Sequence, residues 1–548
     1  MPQITGKLID LHQRSIYGAK VIFNHNGIIE SILPEENPAG QYILPGYIDA
    51  HIHIESSMLV PYEFAKIALR HGTVATISDP HEIANVLGVE GVKYMIQNAA
   101  DAKLKFHFGA PSCVPATKFE TAGAEINAEA VKQLLEDPDI YYLSEMMNYP
   151  GVLYSDPEVM LKIAHAKSLN KNIDGHAPGL RGSDAQRYIQ SGITTDHECF
   201  SYEEALDKIS YGIKIIIREG SAARNFDALH PLIKIHPDKL MFCSDDKHPD
   251  ELLHGHINLI VKRALQLGYD LFDVLRIACV NPVLHYGMRS GLLRPGDPAD
   301  FILINNLTDF NVLATFIDGE KVSEEGKVFL PHKTHTTPNQ FNTQPVTVRD
   351  LSVYGDGYNL PVIVPVDGSL ITEKFYTDLP TAEGQILTAP DQDILKITVI
   401  NRYYPAPPSV GFIKGFGLKD CAIASTVAHD SHNIIATGSS DELIVKAINA
   451  LIISKGGLSL ATEDTAMVLP LPVAGLMSDL DAETVGMKYA EIDSKAREMG
   501  AAMKAPFMTL SFMALLVIPK IKISDLGIFD AESFSFYDKY HKAADFSK

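Results

Sequence analysis

Apolar and polar positions over the first 43 residues alternate with the period of strands. Lys7-Leu-Ile-Asp-Leu11, Lys20-Val-Ile-Phe23 and Gly27-Ile-Ile-Glu-Ser-Ile-Leu33 are separated by the turn-like Asn24–Gly27 and Pro34–Pro38. This predicts a small antiparallel sheet. The same texture returns over Gly291–Ile304 and Val312–Val322, so residues 1–44 and 287–340 are expected to pair into one composite β-domain. Everything between them interrupts it.

From Pro45 to Tyr286 the pattern changes to short apolar strands alternating with helical segments. Strands are predicted at Tyr47–His53, Thr73–Ser78, Lys105–Gly109, Tyr141–Glu145, Asn172–His176, Ile193–His197, Lys214–Arg218 and Met241–Asp245. Helices are predicted at Glu63–Arg70, Ala128–Leu135, Pro157–Ser168, Ser183–Ser191, Ser201–Tyr211 and Glu251–Leu267. Alternation of this kind makes a parallel sheet. Eight repeats in roughly 240 residues match a (β/α)8 barrel, which takes about 250. A doubly wound sheet is the alternative, and no Gly-x-Gly-x-x-Gly follows the first strand to favour it. After a linker at His332–Asn339, strands at Ile394–Ile400, Gly411–Ile413 and Cys421–Ser425 and helices near Asp441–Ile453 and Ala482–Met499 predict a C-terminal α+β domain over 346–548. The fold class is therefore α/β: a barrel with a composite small β-domain and a C-terminal α+β domain.

Composition narrows the partners. At 46% apolar and 21% charged the chain reads as globular, and a net charge of −21 without a basic patch argues against nucleic acid. The five cysteines never form a C-x-x-C pair, which suits a reduced, cytoplasmic protein. No signal peptide is read at the N-terminus, and the apolar run Phe507–Pro519 is too short to span a bilayer. A symmetric homo-oligomer, in the simplest case a dimer, is the general expectation.

In a (β/α)8 barrel, reactive groups belong at the C-terminal ends of strands. The first predicted strand ends in His51 and His53, whose i, i+2 spacing puts both imidazoles on one face. Others end in Asp79-Pro-His81-Glu82, Ser144-Glu145, Asp174-Gly-His176, Asp196-His197-Glu198 and Ser244-Asp245-Asp246. Four histidines, a glutamate and an aspartate suffice for two divalent metals sharing a carboxylate, which would lower the pKa of a bound water. An aspartate can then move the proton to a leaving group. Mixed N/O ligands suit Mn, Fe or Zn. His81 and Glu82 read equally as ligands or as pocket lining, and Asp245 against Asp246 stays open because one of them can be an N-cap.

These residues resemble a known family. Pro45-Gly-Tyr-Ile-Asp-Ala-His-Ile-His53 is similar to the first-strand signature of the amidohydrolase superfamily. The finer resemblance is to adenine deaminases of bacterial type. It rests on His51-Ile-His-Ile-Glu-Ser-Ser-Met58, Ser78-Asp-Pro-His-Glu82, Ser144-Glu-Met-Met147, Asp174-Gly-His-Ala-Pro-Gly179, Asp196-His-Glu198, Ile217-Arg-Glu-Gly-Ser221 and Cys243-Ser-Asp-Asp-Lys-His248. It extends to Ala428-His-Asp-Ser-His432 in the last third.

The resemblance implies hydrolysis of a small purine, adenine, to hypoxanthine and ammonia at a binuclear Mn(II) or Fe(II) centre. His51, His53, His176 and His197 would be ligands, Glu145 would bridge the metals or lie beside them, and Asp245 would ligate and shuttle the proton. Asp79 and His81 would belong to the pocket. An acid near ring N1 is required, and Glu145 and His81 both remain candidates.

The zinc base deaminases carry C-x-x-C, which this chain lacks. A dihydroorotase- or hydantoinase-like enzyme would carry lysine where Glu145 stands. A barrel serving only as a scaffold would be expected to have lost at least one ligand. His429 and His432, with Asp430 between them, read as a metal site, as pocket closure or as a polar turn.

Overall fold

Four strands open the chain: β1 (Gln3–Asp10), β2 (Ser15–Phe23), β3 (Ile29–Pro34) and β4 (Tyr42–Pro45). The computed structural model describes residues 1–537 and the backbone of the short strand His541–Lys542. Residues 538–540 and 543–548, the end of the expected C-terminal domain, lie outside the described residues. β1 pairs antiparallel with β2, but β4 runs parallel to β1. The expected all-antiparallel sheet is thus mixed, because β4 leads straight into the barrel and takes its direction from it.

The barrel strands are β5 (Tyr47–Ile52), β6 (Thr73–Ser78), β7 (Lys105–Ala110), β8 (Ile140–Met146), β9 (Ile173–Gly175), β10 (Thr195–Asp196), β11 (Lys214–Arg218) and β12 (Leu240–Cys243). β5 to β9 pair in sequence order, as do β10 to β12. Two hydrogen bonds close the ring. Thr194 N donates to Ile173 O at 2.8 Å between β9 and β10, and Asp245 N donates to His51 O at 3.0 Å between β12 and β5. Every residue of β5, β6 and β12 is buried, as a parallel sheet covered on both faces requires. Gly175 permits the tight approach at β9, since a Cβ there would stand 2.4 Å from Thr195 O.

The helix at Pro157–Ser168 starts where Asp156 accepts the amide protons of Glu158 and Val159 and proline follows. The single helix expected over Glu251–Leu267 is instead two, Pro249–His254 and Ile257–Gln266. His256 breaks it by turning into the barrel, where Nε2 lies 2.7 Å from Asp49 Oδ2 and Nδ1 2.7 Å from Thr73 Oγ1.

After the barrel, β13 (Phe301–Ile304), β14 (Val312–Ile317), β15 (Glu320–Glu324) and β16 (Lys327–Val328) extend the first sheet. Its order is β16-β15-β14-β13-β4-β1-β2-β3. A second eight-stranded sheet lies in the C-terminal part, with Ile394–Ile400 between Ser409–Lys414 and Ile434–Gly438. Along Ile394–Ile400, Leu395, Ile397 and Val399 join the barrel's apolar core, while Ile394 and Ile400 pack in a separate core with the helix Asp441–Ser454. One face of this sheet is therefore seated on the barrel. The segment at 332–339 is irregular yet anchored: Pro331 O accepts from Tyr62 OH at 3.0 Å and Pro338 O from Ala474 N at 2.7 Å. Among the described residues, no helix is long and apolar enough to cross a membrane.

Candidate metal centre and substrate pocket

The strand ends converge on Glu145, at the end of β8. Its Oε1 lies 3.3 Å from His53 Nε2 and 3.6 Å from His81 Nδ1, and its Oε2 lies 2.7 Å from His176 Nδ1 and 3.2 Å from His197 Nε2. Asp245 Oδ1 stands 3.3 Å from His53 Nε2 and 3.7 Å from His51 Nε2. A left-handed φ of +51° at Asp245 turns the chain there, a conformation that aspartate tolerates better than most residues. Asp79 is buried beside His81, its Oδ2 3.2 Å from His81 Nδ1, and ligand atoms of His53, Asp79, His81 and Glu145 lie within 4.8 Å of one another.

The donor set fits divalent ions. The Nε2 atoms of His51 and His53 stand 3.1 Å apart, close to the spacing of about 3 Å expected between neighbouring ligands on bonds of about 2.1 Å. Ligand atoms of His51, His53 and Asp245 lie within 4.8 Å of one another, as do those of His51, Glu145 and His197, and those of His176, His197 and Glu198. His53 Nδ1 faces Asp79 O at 3.2 Å, the outer hydrogen bond that orients a ligating imidazole and frees its Nε2.

Electrostatics separate two parts of the pocket. Burial opposes ionisation of Glu145, but His176, helped by His197 and His53, holds it well below the usual carboxylate range. Asp245 is held low in the same way, by Arg218 against the cost of burial. Arg218, at the end of β11, donates to Asp245 Oδ2 at 2.5 Å and forks onto Glu198. Burial lowers His81, but Asp79 and Asp430 raise it well above an ordinary imidazole.

Glu82 on the wall, and Glu55 close to it, have no lysine or arginine partner among the described residues. Burial pushes Glu55 up to about 7. Burial, with Glu55 and Asp246 nearby, raises Glu82 well above its ordinary value. Ser56 Oγ lies 2.9 Å from Glu82 Oε1 and 2.6 Å from Asp246 Oδ1.

The C-terminal domain supplies the rest. His429 and Asp430 line the cavity with Leu370, Phe512 and Leu515. His81 Nε2 lies 3.7 Å from Asp430 Oδ1, and the His429 ring stacks on Phe512 at 4.8 Å between centroids. His432 turns away, its Nδ1 facing the Ala428 amide. Of the two histidines weighed for pocket closure, His429 is the one on the wall. Arg402 fixes this loop through His432 O, Ala474 O and the side chain of Asn433, with no acidic partner among the described residues. Gly475 leaves it room, since a Cβ there would meet Arg402 Nη1 at 2.3 Å.

Sequence reasoning gave no role to Arg218, Glu198, Ser56 or Asp430. Arg218 ends a predicted strand, so a search of strand ends beyond metal-ligand types finds it. Glu198 follows a ligand directly. Asp430 stands between His429 and His432, the pair weighed for pocket closure.

Comparison with known proteins matches residues 42–322 to a family model described as the amidohydrolase family, and residues 369–535 to one described as the adenine deaminase C-terminal domain. Proteins named adenine deaminase are similar along nearly the whole chain. That of Salinibacter ruber is 53% identical over 98% of both chains. That of a Sulfurovum species is 54% identical, covering 98% of this chain and 99% of its own. That of Methanosarcina barkeri is 50% identical, covering 98% of this chain and 100% of its own.

Proposed function

The chain belongs to the adenine deaminases of the amidohydrolase family, and from that premise we propose how its pocket hydrolyses adenine to hypoxanthine and ammonia. It is a hydrolase that uses divalent metal. The observation that carries the reading is the convergence of His53, His176 and His197 on Glu145, with Asp245 against His53, inside a chain about half identical to adenine deaminases over 98% of its length.

His51, His53, His176, His197, Glu145 and Asp245 would hold two ions. Mixed imidazole and carboxylate donors suit Mn(II) or Fe(II), and Zn(II) also fits them. Such ions, when bound, acidify a water to near neutral pH and polarise the substrate.

Asp245, kept ionised by Arg218, accepts a proton from the attacking water and passes it to the C6 amino nitrogen as that group leaves. His81 donates to ring N1. Glu145 is the weaker choice for that acid, because its imidazole partners keep it ionised, whereas Asp79 and Asp430 keep His81 protonated. As the C6 carbonyl forms, the proton left on its oxygen returns to His81, so that of the two water protons one is accounted for on N1 of hypoxanthine and one on ammonia. Glutamate at 145, where a cyclic amidase would carry lysine, supports deamination over amide hydrolysis.

Five free, buried cysteines suit a reducing compartment, supporting a cytoplasmic role in purine salvage or catabolism. A homodimer remains the general expectation, and light scattering checks it. The deciding experiment is ammonia release from adenine before and after metal removal, with Mn(II) or Fe(II) restored. Activity that leaves and returns with the metal supports the reading. Metal binding without ammonia from adenine overturns the substrate and keeps the hydrolase.

A further inference from the structure

We infer that Glu82 recognises the ring N–H on the imidazole half of adenine, and so restricts the enzyme to the free base. The inference rests on adenine being the substrate. Adenine has two kinds of hydrogen-bond donor, the C6 amino group and one imidazole N–H; its other ring nitrogens accept. The amino group is committed to the metal-ligand end, where it departs. An acceptor elsewhere on the wall can then serve only the ring N–H.

Glu82 is such an acceptor, and it lacks a donor. It is fully buried, lines the cavity, and its Oε2 has no hydrogen-bond partner among the described residues. Its Oε1 competes with Asp246 Oδ1 for the single proton of Ser56, at 2.9 Å against 2.6 Å, and the shorter contact takes it. His429 Nδ1, at 3.6 Å from Oε1, is beyond hydrogen-bond reach. A buried carboxyl left in this way is costly unless a ligand fills it. In either protonation state one Glu82 oxygen still accepts. A nucleoside carries its sugar on that ring nitrogen, which removes the donor and drives bulk into a closed wall.

The test uses two isosteric inhibitors, 4-aminopyrrolo[2,3-d]pyrimidine and 4-aminofuro[2,3-d]pyrimidine, which differ only by N–H against O at the ring position in question. Metal-loaded wild type should bind the N–H compound about 10- to 100-fold more tightly, the range for a hydrogen bond to a charged group. Glu82→Met should bring the ratio below about 3-fold, with Glu82→Gln, which keeps a carbonyl acceptor, between the two. A wild type with no preference, or E82M with the wild-type ratio, overturns the inference.

So does loss of one metal equivalent in E82M, which would make Glu82, Asp246 and His429 a cation site. Should E82M not fold, the wild-type ratio and E82Q decide. A wild type that releases no ammonia from adenine defeats the substrate reading. Normal ammonia release without the N–H preference defeats only this inference.

Discussion

Two parts of one pocket bury carboxylates in opposite ways. Around Glu145 and Asp245, four imidazoles and Arg218 surround the charges and keep them ionised. Around Glu55 and Glu82 burial outweighs the nearby imidazoles of His53 and His81, and behind Asp430 at Glu120 it is reinforced by that carboxylate; these groups are raised, Glu55 to about 7 and Glu120 to about 8. Burying a charge is expensive unless it is paired. The paired part can therefore hold metal and move protons at neutral pH. The unpaired part suits recognition, where a ligand supplies the missing donor. Burial alone does not mark a catalytic carboxylate; its partners do.

The sharpest break of this contrast is Glu145→Gln. It strips the central charge from His53, His176 and His197 together and should lower kcat/KM for adenine by at least about 10³-fold, with loss of bound metal. Near-wild-type turnover with full metal content would remove Glu145 from the centre. Asp245→Asn follows at about 10²- to 10⁴-fold, while Asp246→Asn, on the unpaired side, should cost about 10-fold and mainly in KM. Steady-state kinetics of the two variants decide the order, and the reverse order would exchange the roles of the two aspartates. His81→Asn should lower kcat by about 10²-fold with metal retained. A loss of metal instead would make His81 a ligand rather than the acid at N1.

The same contrast explains what was legible beforehand. Each metal-side residue stands at the end of an apolar strand, so a local pattern and the barrel's geometry together indicate it, and Thr73–Ser78 and Lys214–Arg218 match the predicted strands to the residue. The second part of the pocket is assembled from Leu370, His429, Asp430 and Phe512, whose meeting with Glu82 depends on how the C-terminal sheet docks. No period in the sequence encodes that.

Ile521, Lys522 and Ile523 are all fully buried. The Lys522 ammonium donates to Leu370 O at 2.7 Å and Phe512 O at 2.9 Å, bracing two residues of the pocket wall. Burial brings it down to about 7. Its role is set by partners distant in sequence.

Glu120→Gln should have the smallest effect on turnover, and it tests the unpaired side through stability. Glu120 accepts from Thr117 Oγ1 at 3.0 Å through Oε1, while Oε2 has no hydrogen-bond partner among the described residues. Burial, reinforced by Asp430, raises its pKa from 4.5 to about 8. Between those values the folded protein binds a proton that the unfolded chain releases, so stability falls as pH rises. The contribution is intact below about pH 4.5 and lost above about pH 8, at up to about 1.4 kcal/mol for each pH unit between. Glutamine does not titrate. The variant should therefore match the wild type in urea unfolding near pH 5 and exceed it by a margin that widens toward pH 8, with kcat within about 2-fold throughout. A margin that stays constant with pH would mean that Glu120 is ionised in the fold, and the contrast between the two parts of the pocket would then have to be redrawn to exclude it.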